Sequence, residues 1–221
     1  MSRLARVVLP GVPHHVTQRG NRREQTFFED GDYGLYLDLL ADAARRAQVE
    51  VWSYCLMPNH VHIIAVPQDE DGLRRTFRYV HRHYTGYINA RLRVTGHLWQ
   101  GRFSSVAMDE SHLMSALRYV ALNPVRARLV ARAGDWRWSS TGALLRGADD
   151  QVVKVAPALD RVGDFGAFLD EAFDEALTYA PLRKAESIGR PVGAKDWLAA
   201  MEARTGRTLA PQKRGPKPLV I

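Results

Sequence analysis

Apolar and polar positions recur with two different periods along the first 125 residues, and these periods predict the secondary structure. Alternating or continuously apolar, β-rich segments predict four strands, at 14–19, 50–56, 60–66 and 103–108. Apolar residues three and four positions apart predict three helices, at 33–47, 73–93 and 111–122. The order β-α-β-β-α-β-α predicts an α+β fold, a ferredoxin-like split β-α-β sandwich with an antiparallel sheet.

Turn and cap residues indicate where these elements end. The segment 57–59, Met-Pro-Asn, is a turn signal between two β-rich runs and predicts a hairpin. Ser111 is predicted to cap the last of the three helices, and Asn123-Pro124 to end it.

The chain changes character after Trp138, and we predict three regions. Residues 1–146 form the main domain. Residues 147–180 form an acidic helical connector with a helix at 165–179. Residues 181–221 form a basic C-terminal extension that is partly disordered, with a short helix at 196–204 stopped by Gly206.

Mapping the charge along the chain favours nucleic acid as the partner. The formal net charge is +7, and residues 1–148 hold 20 arginines and no lysine against 13 acidic residues. A GC-rich genome could account for the excess of arginine over lysine, but not for this clustering. A basic domain indicates a polyanionic partner, and arginine suits bidentate phosphate contacts.

The composition also excludes several classes of protein. Cys55 is the one cysteine, so an intramolecular disulfide and a cysteine-based zinc site are both excluded. No apolar run approaches the ~18–20 residues of a membrane span, and the N-terminus is too short and too soon broken by proline for a secretory signal. We expect a cytoplasmic protein without a membrane partner.

A pair of histidines offers the first candidate chemistry. Residues two apart on a strand point to the same side of a sheet, so His60 and His62 project together while Val61 faces away. Two neutral imidazoles side by side can hold a metal ion. The alternative is a pair that only forms hydrogen bonds at a sheet surface.

A second candidate lies on the predicted last helix. Tyr119 and Asn123 are four residues apart and share a helix face. A tyrosine can act as a covalent nucleophile, and an amide oxygen can complete a metal site. The alternative is that Tyr119 packs in the core and Asn123 caps the helix.

Together these segments carry a family resemblance. Residues 57–62, Met-Pro-Asn-His-Val-His, and residues 117–127, Leu-Arg-Tyr-Val-Ala-Leu-Asn-Pro-Val-Arg-Ala, resemble single-tyrosine HUH transposases of the insertion-sequence type. Residues 15–22, 98–103 and 138–140 are similar to the subgroup associated with repetitive extragenic palindromes. The resemblance covers about residues 7–145. Arg128 departs from it, since relatives commonly carry glycine there.

The resemblance implies a metal-dependent single-stranded DNA endonuclease and strand transferase. Tyr119 would attack a phosphate of hairpin-forming repeat DNA and form a 5′-phosphotyrosine intermediate. His60, His62 and Asn123 would bind Mg²⁺ or Mn²⁺. The covalent link keeps the phosphodiester energy, so no nucleotide cofactor is needed. The protein would act as a monomer or a homodimer.

Basic and aromatic side chains are candidates for holding the DNA. The predicted helix 73–93 carries Arg74, Arg78 and Arg82 at four-residue steps, a basic ridge expected to lack acidic partners. Trp99 beside a cation could stack an unpaired base. A solvated basic face is the alternative. The full predicted set is Arg19, Arg22, Arg23, Arg74, Arg78, Arg82, Trp99, Arg102, Arg118 and Arg126.

Two other functions fit the same residues. A catalytically idle DNA-binding protein, such as a domesticated repressor, could use the same fold without needing Tyr119. A replication-initiator or relaxase endonuclease would share the chemistry, although such enzymes usually place the tyrosine differently. Tyr119 beside intact His60, His62 and Asn123 favours the transposase-like enzyme.

Overall fold

Four antiparallel strands form the centre of the molecule. The computed structural model describes residues 6–209. The strands are β1 (His14–Arg19), β2 (Val49–Met57), β3 (His60–Pro67) and β4 (Ser104–Ala107). They form one sheet in the order β2-β3-β1-β4, and every pair is antiparallel. The predicted α+β fold with an antiparallel sheet is confirmed.

Eight α-helices accompany the sheet within the described residues. The first three are the ones predicted from periodicity, and five shorter ones follow. They are α1 (Asp30–Arg46), α2 (Gly72–Leu92), α3 (Glu110–Arg126), α4 (Thr141–Arg146), α5 (Ala156–Val162), α6 (Phe165–Asp170), α7 (Glu175–Ile188) and α8 (Lys195–Thr205). Among residues 6–209, no helix combines the length and the apolar character needed to cross a lipid bilayer.

The strand register decides which side chains each face of the sheet presents. Val61 and Ile63 are fully buried and belong to the face covered by α1 and α2. His60 and His62 belong to the opposite face, because residues i and i+2 of a strand share a side. Helix α3 contacts β2 and β3 on this second face.

Helix α3 begins earlier and ends later than the sequence predicts. Asp109, not Ser111, caps it, because the Asp109 carboxylate accepts a hydrogen bond from the backbone N–H of His112. Pro124 lies inside the helix instead of ending it. Proline removes one donor, but the Asn123 carbonyl still accepts from the Ala127 N–H, so the last turn forms.

The backbone at Arg128, two residues after the end of α3, shows why glycine suits this position. Arg128 adopts a left-handed backbone with φ of 57°, the conformation in which glycine is favoured. Its N–H donates to the Val125 carbonyl, and the Leu129 N–H donates to the Pro124 carbonyl. The chain therefore makes the turn that glycine would make, at the steric cost of an arginine Cβ.

The C-terminal half packs against this core. The prediction of one helix at 165–179 is wrong, because two helices, α6 and α7, occupy this region. Both contact α3. The short helix before Gly206 is confirmed as α8. Leu209 is buried beside Val7 and Leu9, which joins the end of the described chain to its beginning. The division at residues 146 and 180 stays a prediction.

Candidate active site

Two histidines of β3 present matching ring nitrogens to one cleft. The rings of His60 and His62 lie 4.9 Å apart between centroids. The Nδ1 atom of His60 is 2.6 Å from the Asn59 Oδ1, and the Nδ1 of His62 is 2.9 Å from the His15 Nε2. The Nε2 of His62 is buried and has no hydrogen-bond partner within residues 6–209. Both Nδ1 atoms are engaged, so the Nε2 atoms are the ones a metal ion could reach.

Helix α3 places Tyr119 directly beside these histidines. The Tyr119 ring stands edge-on to His62 with 5.4 Å between centroids, and 6.0 Å from the ring of His15. Its side chain is largely covered, because Tyr119 is 9% exposed. The guanidinium of Arg126, two helical turns later, lies 4.0 Å above the Tyr119 ring. A tyrosine and two histidines that were predicted separately therefore form one cluster.

A cleft of about 490 Å³ opens in front of the histidines. Its walls combine neutral polar groups with three arginines. The lining residues are Thr17, Gln18, Arg19, Arg23, His60, His62, Gln100 and Arg183. No carboxylate is among them, so the cleft favours an anionic ligand such as a phosphate.

Burial keeps the two histidines of β3 neutral. Desolvation lowers the pKa of His60 to about 3, and the positive charge of Arg19 adds to the effect. Desolvation also holds the pKa of His62 well below its ordinary value of 6.5, with smaller contributions from neighbouring histidines and arginines. Neutral imidazoles keep a lone pair at neutral pH, which a metal ligand requires.

The donor atoms suit a divalent ion that also binds phosphate oxygens. Asn123 follows Tyr119 by one turn of α3; it is 8% exposed, and its amide Nδ2 has no hydrogen-bond partner among the described residues. Within residues 6–209 no three His, Cys, Asp or Glu side chains are grouped to hold a metal. Two imidazole nitrogens and one amide oxygen are donor types that such an ion accepts, so Asn123 stays the predicted third ligand.

Most of the predicted DNA-binding arginines lie at the surface or in the cleft. Arg19 and Arg23 line the cleft. Those that are exposed are Arg22, Arg23, Arg74, Arg78, Arg82 and Arg102. Arg74 does not match the expected unpaired ridge, because it forms an ion pair with Asp71 at 2.8 Å. The basic ridge of α2 therefore has one unpaired arginine fewer than the sequence predicts.

The structure gives two members of the predicted set other roles. Trp99 is only 7% exposed, and its ring packs against Tyr36 and Tyr84, so it presents no face for stacking a base. Arg118 is buried, and its guanidinium pairs with Glu171 at 2.6 Å and lies over the Phe168 ring. In this conformation neither side chain is free to contact DNA, and their DNA-binding role stays a prediction.

Sequence reasoning missed the contribution of helix α7 to the cluster. Tyr179 is fully buried and meets Tyr119 edge-on, 4.9 Å between centroids. Burial raises the pKa of its phenol to about 12. The Arg183 guanidinium lies 5.9 Å from the Tyr119 ring and faces the cleft. No local pattern in the sequence connects α7 to Tyr119.

Comparison with known proteins identifies the class to which this fold and site belong. Residues 11–123, just over half of the chain, match the family model described as IS200-like transposase. The chain belongs to the IS200-like transposase family. The match includes Tyr119 and both histidines but stops before α7.

Two solved structures are similar to this chain. One is a REP-associated tyrosine transposase bound to a REP hairpin, with 23% identity and a TM-score of 0.57, covering 70% of this chain and 93% of the other. The other is described as a transposase from Deinococcus radiodurans R1, with 19% identity, a TM-score of 0.38 and coverage of 58% and 92%. The first supports the shared fold, and the second is too distant to support an argument. No curated protein sequence matches the chain.

Proposed function

We propose that this protein cleaves and rejoins single-stranded DNA, with Tyr119 as the nucleophile. The observation that carries the proposal is the position of Tyr119, whose ring lies 5.4 Å from the ring of His62, a residue that lines the cleft with three arginines. A tyrosine that only packs in the core would not require a neighbouring histidine, His62, whose Nε2 is buried without a hydrogen-bond partner among the described residues.

The reaction conserves the number of phosphodiester bonds. The Tyr119 oxygen attacks the scissile phosphorus, the bond from phosphorus to the 3′ oxygen breaks, and that oxygen leaves with a proton as a 3′-hydroxyl. The product is a 5′-phosphotyrosine, and attack by a 3′-hydroxyl reverses the step. His60, His62 and Asn123 would hold a Mg²⁺ or Mn²⁺ ion, whose chemistry is to polarise the phosphate as a Lewis acid.

The proposed substrate is single-stranded DNA that folds into hairpin repeats. Tyr119 is 9% exposed, so a phosphate must approach it closely beside the buried histidines, which a regular duplex cannot easily do. Arg19, Arg23 and Arg183 can contact that backbone. The hairpin seen with the similar REP-associated transposase belongs to that protein, and we extend it to this chain as part of the proposal.

A covalent adduct tests the proposal. Incubation with a hairpin-bearing single strand and Mn²⁺ should give a protein–DNA band on a denaturing gel. Tyr119→Phe should remove the band and retain hairpin binding, since only the hydroxyl is lost. Tyr87→Phe, which changes an exposed tyrosine of α2, is the matched control and should keep the band. An adduct formed by Tyr119→Phe would show that another residue is the nucleophile.

One observation favours the alternative of a catalytically idle DNA-binding protein. Tyr179 and Arg126 lie against the Tyr119 ring, and the whole residue is only 9% exposed in this conformation. The same experiment separates the two functions. Tight hairpin binding without an adduct, in Mg²⁺ and in Mn²⁺, would support the binding protein and reject the enzyme.

A further inference from the structure

We infer that Asn59 is a positioning residue that orients the proposed metal ligand His60 and the loop carrying Arg22 and Arg23 at the same time. Asn59 closes the turn between β2 and β3, immediately before His60. Its amide contacts both neighbours with different atoms. The inference rests on the proposed function, because that function makes His60 a ligand.

The backbone of the arginine loop determines which way the Asn59 amide points. The Arg23 carbonyl can only accept a hydrogen bond, and it lies 2.8 Å from the Asn59 Nδ2, which donates to it. The Oδ1 atom must then face the other way, where the His60 Nδ1 lies at 2.6 Å. An amide oxygen cannot donate, so the proton of the neutral imidazole must be on Nδ1. The His60 Nε2 therefore carries the lone pair that a metal requires.

The loop itself needs such an anchor. Arg22 and Arg23 both have left-handed backbones, with φ of 51° and 64°, a conformation that non-glycine residues rarely adopt in succession. Residues 20–24, the part of the loop that carries both arginines, form two hydrogen bonds with Asn59: the Gly20 N–H donates to the Asn59 carbonyl at 2.8 Å, and the Asn59 amide donates to the Arg23 carbonyl. The anchored loop places the Arg23 side chain in the cleft with His60.

Close packing at the start of the loop adds to its rigidity. A Cβ on Gly20 would come within 2.2 Å of the Glu24 carbonyl oxygen, so only glycine lets the loop fold back this tightly. The turn and the loop are in contact through their backbones. The Asn59 side chain links this contact to His60, because its amide bonds to the Arg23 carbonyl and to the His60 ring. Its loss should free the His60 ring and loosen the loop together.

The protonation of His60 in the metal-free protein is the direct test. Long-range ¹H–¹⁵N NMR at pH 8 distinguishes imidazoles protonated on Nδ1 from those protonated on Nε2, and the missing signal in His60→Ala assigns the residue. Wild type should show His60 protonated on Nδ1, and Asn59→Ala should show a mixture. Asn89→Ala, which removes another asparagine bond to a backbone carbonyl, should leave His60 unchanged. Protonation on Nε2 in wild type, or an unchanged signal in Asn59→Ala, would overturn the inference.

A second variant separates the two contacts and guards against misfolding. Asn59→Asp keeps an acceptor for His60 but loses the donor to Arg23, so His60 should stay protonated on Nδ1 while the amide signals of residues 20–24 shift. Loss of Nδ1 protonation in Asn59→Asp, or unshifted loop signals, would contradict the inference.

Metal affinity supplies a further readout. Mn²⁺ titration followed by electron paramagnetic resonance should give roughly 10- to 100-fold weaker binding for Asn59→Ala, the usual effect of losing a partner of a metal ligand. Equal affinity for wild type and Asn59→Ala would count against the inference. If wild type binds no Mn²⁺ and forms no adduct, the proposed function fails, but the NMR result still decides whether Asn59 orients His60.

Discussion

Buried histidines on β1 and β3 show how single residues define the site. Each of His14, His15 and His62 lies inside the sheet and uses a ring nitrogen in a hydrogen bond. His60 uses its Nδ1 with Asn59. Because these contacts occupy particular nitrogens, the protein can leave the Nε2 atoms of His60 and His62 for a metal.

At this scale the proposed ligands should differ in importance. His60→Ala or His62→Ala should abolish cleavage in Mg²⁺, since each removes an imidazole nitrogen, whereas Asn123→Ala should reduce it less because water can replace a neutral oxygen. Gel assays of hairpin cleavage, with Mn²⁺ titrations of each variant, measure this. His83→Ala, which alters an exposed histidine of α2, is the control. Cleavage by wild type in excess chelator would reject the metal mechanism.

At the scale of elements, α3 and α7 pack together and bring several side chains around Tyr119. Tyr119 and Arg126 are seven residues apart and share a face of α3, while Arg118 points about 100° away around the helix and is buried against Glu171. Helix α7 adds Tyr179 and Arg183 to the surroundings of Tyr119. Side chains of two helices from separate parts of the chain therefore surround Tyr119, the proposed nucleophile.

This arrangement predicts a role for Arg183 in binding DNA. Arg183→Ala should weaken binding of a hairpin-bearing single strand and reduce the slope of log K against log salt by roughly 0.7, the value for one lost phosphate contact. Fluorescence anisotropy over a salt series measures both. Lys184→Ala removes the same charge from the neighbouring position, which does not line the cleft, and should change the slope less. Equal effects of the two variants would indicate general charge attraction instead of a specific contact.

At the scale of the whole molecule, the C-terminal helices pack against the part of the fold that carries the candidate site. The segment after α7 pairs with the end of β4, through hydrogen bonds between Val192 and the backbone of Ala107 and Asp109. Helix α8 then packs beside the apolar N-terminal residues. In the basic C-terminal extension, Arg204 and Arg207 donate to backbone carbonyls near the N-terminus, while Lys213, Arg214 and Lys217 lie outside the described residues.

Burial of neutral histidines should make this whole fold sensitive to acid. The Leu9 N–H donates to the His14 Nε2, and the His14 Nδ1–H donates to the Val12 carbonyl, so the folded protein has no place for a second ring proton. Burial lowers the pKa of His14 to about 4, although the Val12 carbonyl opposes the shift. The unfolded chain binds a proton below about pH 6.5 and the folded protein does not until about pH 4. Stability is therefore full above pH 6.5 and falls as the pH drops below it.

Urea unfolding of the metal-free protein at pH 7 and pH 5 tests this expectation. His14 alone should contribute a loss of about 2 kcal/mol between these values, since a pKa difference is worth about 1.4 kcal/mol per unit. His14→Asn can keep a donor and an acceptor but cannot titrate; it should be less stable at pH 7 and lose less stability on acidification. An identical loss in both proteins would show that His14 does not carry the effect.

The sequence by itself determined the features that depend on near neighbours. The alternation of β3 put His60 and His62 on one side of the strand, because successive residues of any strand alternate. The helical spacing put Tyr119 and Asn123 on one face of α3 for a similar reason. The element order also led to the correct sheet, since short connections leave few ways to arrange four strands and two crossing helices.

Only the tertiary structure decided features that depend on contacts between distant segments. The sequence predicts that Trp99 and Arg118 contact DNA, but packing against residues far along the chain buries both side chains. Arg183 and Tyr179 join the site because α7 returns to α3. The Asn59 amide takes its direction from the Arg23 carbonyl in another loop. Periodicity describes which side of its own element a residue faces, but only the packed fold decides what that side meets.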